Sequence, residues 1–356
     1  MTEPVILMEG RYTHEDLLSL KNKVGCRVVD ILEAQLAELY EIQNPSVLYS
    51  PTPDPGLTEF ISKKLIGDRE LFGDWIFFPC TSVLLHTVSK SENYTLRTSR
   101  NKNIITEEEQ EKLRDFTISI AGLSVGGNIA TTLAYNGFPG NLKLADFDLL
   151  ETTNLNRIRG KLADVGRPKL DIISQQLYEL DPYINITSFS SGIDGSNLQD
   201  FLGGESTTKL VFEIIDDLRI KILLRLEAKR LKIPLIMLTS IGDSVLIDVE
   251  RYDTDTSTTP FNGLVEEKEI QDILSGKASK SEENKYVIKI VGMENIPQKV
   301  LDSVKGIGVS LIGRPQVMST ITVEAGIAVY LARMIALGLP VPSGRSRVKF
   351  EDFIKN

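Results

Sequence analysis

The chain is 356 residues long, 42% hydrophobic and 25% charged, which allows two domains and a substantial core. Its 49 acidic against 40 basic residues, a net charge of −9, argue against a surface that coats nucleic acid and leave room only for a local basic pocket. Two cysteines, Cys26 and Cys80, and two histidines, His14 and His86, argue against a disulfide framework, a cysteine zinc site and imidazole chemistry, so reactivity falls to Asp, Arg, Lys, Asn and bound metal.

No apolar run has the length of a membrane span. The start, MTEPVILMEGRYTHED, carries acids where a signal peptide has a basic stretch, so a cytoplasmic location is expected. Residues 1–98 read as a small N-terminal α+β domain. Val28, Val29, Ile31, Leu32, Leu36 and Leu39 recur at a spacing that predicts one amphipathic helix ending near Asn44-Pro45. SPTPDPG at 50–56 is a turn, and 75–78 and 83–88 are short strand candidates around Pro79. No catalytic constellation occurs here, which leaves dimerisation or substrate recognition as the domain's expected work.

Arg97, Arg100 and Lys102 then form a cationic cluster that by itself reads as a solvated face. Thr106 with Glu107, Glu108 and Glu109 marks a helix start. Residues 117–121 are a short apolar strand, Gly122-Leu-Ser-Val-Gly126-Gly127 a glycine-rich turn, and 128–135 a helix stopped by Gly137. A second strand, 141–145, delivers Asp146 and Asp148. Strand, glycine turn, helix and an acid about twenty residues on suit a nucleotide: glycines admit a phosphate, the helix start offers N–H groups, and the acid accepts ribose hydroxyls. Ser124 stands where the dinucleotide fingerprint has its second glycine, so tight strand–helix packing is the competing reading.

Asn154, Arg157, Arg159, Lys161, Arg167 and Lys169 follow within sixteen residues, in a polar loop where open α/β sheets bind ligands. Residues 170–180 predict a helix and 183–189 a strand. The strand at 209–215 ends on Asp216-Asp217, hard oxygen ligands suited to a divalent metal beside phosphates. A helix at 218–231 and strands at 235–240 and 244–251 complete an alternating pattern. The expected fold is α/β, a Rossmann-like mostly parallel sheet with late antiparallel strands, in a domain spanning 99–356. From 253 to 284 the composition turns polar, with one short helix at 264–275, and reads as a flexible insertion or a lid. Residues 316–337 form an apolar helix that Glu324 and Arg333 mark as buried rather than membrane-spanning.

In order, the glycine turn, D-F-D at 146–148, N-L-N-R at 154–157, G-R-P-K at 166–169 and D-D at 216–217 resemble the ThiF/MoeB/HesA family, adenylating enzymes related to the ubiquitin-activating enzymes. The resemblance covers about 96–252 and the last helix. It implies ATP and Mg²⁺, with Gly122, Ser124, Gly126, Gly127, Asp146 and Asp148 around the nucleotide and Asp148 on the ribose. It places Asn154, Arg157 and Lys169 on the triphosphate, and Asp217 at the metal and the α-phosphate. Arg100, in L-R-T-S-R-N, becomes a candidate arginine given to a partner subunit's site, implying a homodimer, and Arg157, Lys169 and Asp217 the other catalytic candidates. No cysteine follows Cys80 and the family's paired C-x-x-C motifs are absent, so the chain is similar to branches whose acyl-adenylate is captured by a nucleophile other than cysteine. The implied substrate is a peptide, as in ribosomal-peptide modification, or a small-molecule carboxylate. A nicotinamide-dependent Rossmann oxidoreductase and a non-catalytic nucleotide-binding scaffold are the rival readings. The Arg/Lys motifs argue against the first, and the joint presence of Asp148, Asn154, Arg157, Lys169 and Asp217 against the second.

Overall fold

A computed structural model of the protein describes residues 3–304 and 306–354. The chain forms two compact units, one of residues 1–111 with 134–137 and 174–184, the other of 112–133, 138–173 and 185–356.

In the first unit, β1 (Val5–Leu7), β2 (Arg27–Asp30), β3 (Asp74–Phe78) and β4 (Val83–Thr87) make a sheet in the order β1-β3-β4-β2. Helices α1 (His14–Lys21), α2 (Leu32–Gln43), α3 (Pro55–Lys64), α4 (Lys90–Thr98) and α5 (Glu107–Arg114) accompany it. The single helix expected through Val28 and Val29 is corrected here. Residues Arg27–Asp30 are a strand parallel to β4, with Val28 opposite Leu84, and the helix starts only at Leu32. Two adjacent β-branched residues favour the pleated edge that β4 offers, and the helical stripe then runs through the buried Leu32, Leu36 and Leu39 alone.

The second unit carries seven strands in the order β11-β10-β9-β8-β5-β6-β7. The strands β5 (Thr117–Ala121), β6 (Asn141–Ala145), β7 (Asn185–Phe189), β8 (Leu210–Glu213) and β9 (Leu235–Ser240) are parallel. Antiparallel β10 (Ser244–Glu250) and β11 (Gly344–Lys349) close one edge, so the expected mostly parallel sheet with late antiparallel strands is present. Polar β11 shows no apolar alternation; Arg345 anchors it to Asp248 on β10 at 2.8 Å. The helices are α6 (Gly126–Tyr135), α7 (Lys169–Leu180), α8 (Leu198–Leu202), α9 (Leu218–Leu231), α10 (Glu267–Leu274), α11 (Lys280–Val291), α12 (Gln298–Val304) and α13 (Met318–Ala336). Within the polar stretch 253–284, α10 packs on α9 and buries Ile270 and Ile273 with Ile222 and Phe261. The expectation that no apolar run has the length of a membrane span is corrected by α13, which passes by length and composition but packs on β9 and β10 with Ile321, Ala325, Ala328 and Ala332 buried.

Strand order runs from β5 to β6 on one side and to β8 on the other. The carboxyl ends of β5, β6 and β8 therefore border the crevice where an open α/β sheet takes its ligand.

Candidate functional site

At the end of β5, Gly122 has φ +89°, and a Cβ there would lie 2.3 Å from the Ile214 carbonyl oxygen, so only glycine fits the turn. Gly126 and Gly127 do different work. A Cβ on either would strike Ile120 or Ile173, so these two glycines let α6 settle close against β5 and α7.

The two acids after β6 divide their roles. Asp146 is buried, and its carboxylate accepts the Leu123 N–H at 2.6 Å and the Asp148 N–H at 2.8 Å. Burial raises its pKa despite those two donors and Lys169. Asp146 thus ties the glycine turn to the loop after β6. Asp148 is half exposed and takes the Lys169 ammonium at 2.7 Å. Lys169, at the start of α7 with its side chain 5% exposed, also donates to the Ser124 hydroxyl at 3.2 Å. The serine that departs from the glycine fingerprint therefore supplies a polar contact in a cluster of Ser124, Asp148 and Lys169.

Asn154 is buried, and its side-chain oxygen accepts the Glu151 N–H at 3.1 Å, so it caps the short turn Thr152–Asn154. Arg157 donates to the Thr153 carbonyl and the Asn156 side chain, both at 3.0 Å, while its backbone carbonyl accepts from Asn128 on α6. Burial lowers the Arg157 pKa, opposed by the charges of Asp216 and Glu151, and its Nε is buried with no partner among the described residues. Such a guanidinium has unmet donor capacity for an anion. Within G-R-P-K, Arg167 pairs with Asp164 at 2.5 Å.

Asp216 and Asp217 are exposed after β8. Asp217 caps α9, one oxygen accepting the Ile220 N–H at 2.9 Å. Asp216 is held by Arg314 at 2.6 Å. Beyond Arg314, Gln316 donates to the Ser240 hydroxyl at 3.2 Å, and its carbonyl accepts from Asn156 at 2.7 Å. Residues 314–316 thus cross the carboxyl edge from β8 and β9 to the loop of Arg157. Sequence reasoning misses Arg314 because an arginine beside a proline in a loop is too ordinary a signal. Arg100 lies exposed in the turn Ser99–Asn101 of the first unit.

Among the described residues no group of three or more His, Cys, Asp or Glu side chains stands together to hold a metal. Asp216 and Asp217, exposed at the carboxyl end of β8, are the hard-oxygen type that fits magnesium, which is commonly held by one or two carboxylates with substrate phosphates and water.

A model of the ThiF family matches residues 98–338. An uncharacterized protein of Mycobacterium tuberculosis is 32% identical over 338 residues, 94% of this chain and 44% of its own length. The molybdopterin-synthase adenylyltransferase of Salmonella typhimurium is 31% identical over 130 residues, 36% of this chain and 51% of its own. The chain spans about half the length of these curated relatives. The crystal structure of E. coli MccB with AMPCPP and MccA shares the fold, with a TM-score of 0.51 at 14% identity over 89% of this chain and 84% of that one.

Proposed function

This chain belongs to the ThiF family, and we propose that it adenylates a carboxylate with ATP and Mg²⁺, releasing pyrophosphate. The observation that carries this reading is the meeting of Ser124, Asp148 and Lys169 at the switch point of the sheet. There Asp148 accepts the ribose hydroxyls, Lys169 and Arg157 meet the phosphates, and Asp217 holds the metal, which neutralises phosphate charge when bound. A substrate carboxylate oxygen attacks the α-phosphorus, the bond to the bridging oxygen breaks, and pyrophosphate leaves with that electron pair. Lys169 and Arg157 are placed to stabilise the charge that builds on the phosphate oxygens.

Because no cysteine follows Cys80, the acyl-adenylate is captured by another nucleophile, an amine, an amide or an internal group. The substrate is a peptide or small-molecule carboxylate. Likeness in fold to MccB, solved with MccA, and a separate unit ahead of the adenylating core support the peptide.

Calorimetric titration tests the reading. ATP with Mg²⁺ is expected to bind and NADH not to; binding of NADH without ATP would replace adenylation with a Rossmann oxidoreductase. The protein acts as a homodimer in which Arg100 serves the partner's site. Mixing Arg100→Ala with Asp217→Asn subunits is then expected to restore pyrophosphate release, since mixed dimers contain one intact site. No recovery in verified mixed dimers removes Arg100 from that role.

A further inference from the structure

Beneath the exposed Asp216-Asp217 turn lies a buried charge network. Arg225 of α9, Glu213 at the end of β8 and Glu250 at the end of β10 are all wholly buried. Arg225 donates to Glu213 at 2.7 Å and to Glu250 at 2.8 Å, and its guanidinium stacks 3.9 Å over the Phe261 ring. The Tyr252 hydroxyl donates to the second oxygen of Glu250. Burial presses Glu213 toward its neutral form, but Lys221 and Arg225 outweigh it and hold its carboxyl below the ordinary range.

Such a network is a poor device for stability alone, because well-packed apolar residues in place of a buried ion pair are often as stable or more so. Its geometry suggests other work. One oxygen of Glu213 accepts both the Ile215 N–H at 3.1 Å and the Lys221 ammonium at 2.7 Å. Ile215 comes two residues before Asp217 and Lys221 one helical turn after it, so this oxygen clamps the turn from both sides. The intervening strand end is also pinned, because the Ile214 N–H donates to the Ala121 carbonyl at 2.8 Å and the Ile214 carbonyl lies against Gly122. The chain that presents Asp217 and the glycine turn thus rests on one buried scaffold.

We propose that Glu213, Lys221 and Arg225 are positioning residues that hold the Asp217 carboxylate where it meets the metal-bound nucleotide. The proposal rests on the adenylation reading of the site. A carboxylate on a loose turn loses metal affinity although its own chemistry is intact, and partners that orient metal ligands typically matter by about 10- to 100-fold.

The test uses Lys221→Met, which leaves the Arg225 ion pairs in place, with Lys289→Met, at an exposed pair with Glu269, as the control. Calorimetry measures ATP affinity as a function of Mg²⁺, and hydrogen exchange reads the Ile215 amide. The expected result is a rise of about 10-fold in the Mg²⁺ concentration at half-effect, unchanged ATP affinity without metal, and faster exchange at Ile215. The control should match wild type. A folded Lys221→Met protein with the wild-type Mg²⁺ dependence overturns the positioning role while the nucleotide reading stands. Wild-type protein that binds no ATP overturns that reading and this proposal with it. Should Lys221→Met fail to fold, Arg225→Lys, which keeps the charge but shortens the fork, must show the same shift in smaller measure; wild-type behaviour there overturns the proposal too.

Discussion

Replacing Asp217 by Asn is expected to cut ATP-dependent pyrophosphate release by about 100-fold or more, the scale on which losing one preorganised electrostatic partner lowers turnover. The substitution is chosen for what it preserves. Asp217 caps α9 through the Ile220 N–H, and asparagine caps as well as aspartate does. Fold and helix start therefore persist while the negative charge disappears. The loss should appear in turnover and Mg²⁺ dependence, with circular dichroism unchanged. Wild-type turnover in the variant would take Asp217 out of the mechanism. Asp216 is paired with Arg314 at the surface and is left unchanged in this test.

Glu324→Gln is expected to stabilise the protein increasingly as the pH rises. Glu324 sits on α13 with no exposed surface and neither carboxyl oxygen partnered among the described residues, and burial pushes its pKa from 4.5 up to about 8. Below pH 4.5 the group is protonated in both folded and unfolded chains, so the variant should match wild type. From pH 4.5 to about 8 the unfolded chain ionises while the folded one keeps its proton. The unfolded state then gains about 1.4 kcal/mol per pH unit, about 3 kcal/mol by pH 7. Above pH 8 the folded group ionises as well and the difference levels off. Denaturant unfolding of both proteins from pH 4.5 to 9 checks this, and an offset that does not change with pH would show that Glu324 titrates normally.

Local pattern is enough to read off the order of elements and the edge of the sheet that carries the candidate site. Short apolar runs set β5, β6 and β8, the glycines set the turn into α6, and acids after two of those strands set the ligand edge, because all of these signals lie within a few residues of one another. Local pattern misjudged Arg27–Asp30, where helical spacing in the sequence lost to a strand edge that β4 provides from 56 residues away. Asp146 and Asp148 look alike in sequence. Only the tertiary structure shows that the first accepts the Leu123 N–H while the second takes the Lys169 ammonium. Asn154, expected at the triphosphate, also caps its own turn through its side-chain oxygen, a contact that the sequence does not announce.

The contacts that tertiary structure alone decided are those between distant charges. Arg314 meets Asp216 across 98 residues, and Arg225 joins Glu213 to Glu250 from two different strands. Periodicity reports which face of an element is buried, but the partner a buried charge finds depends on the path of the whole chain. The same holds for Glu324. Its place on an apolar helix is plain from the sequence, while its lack of a partner among the described residues is a property of the packed sheet beneath.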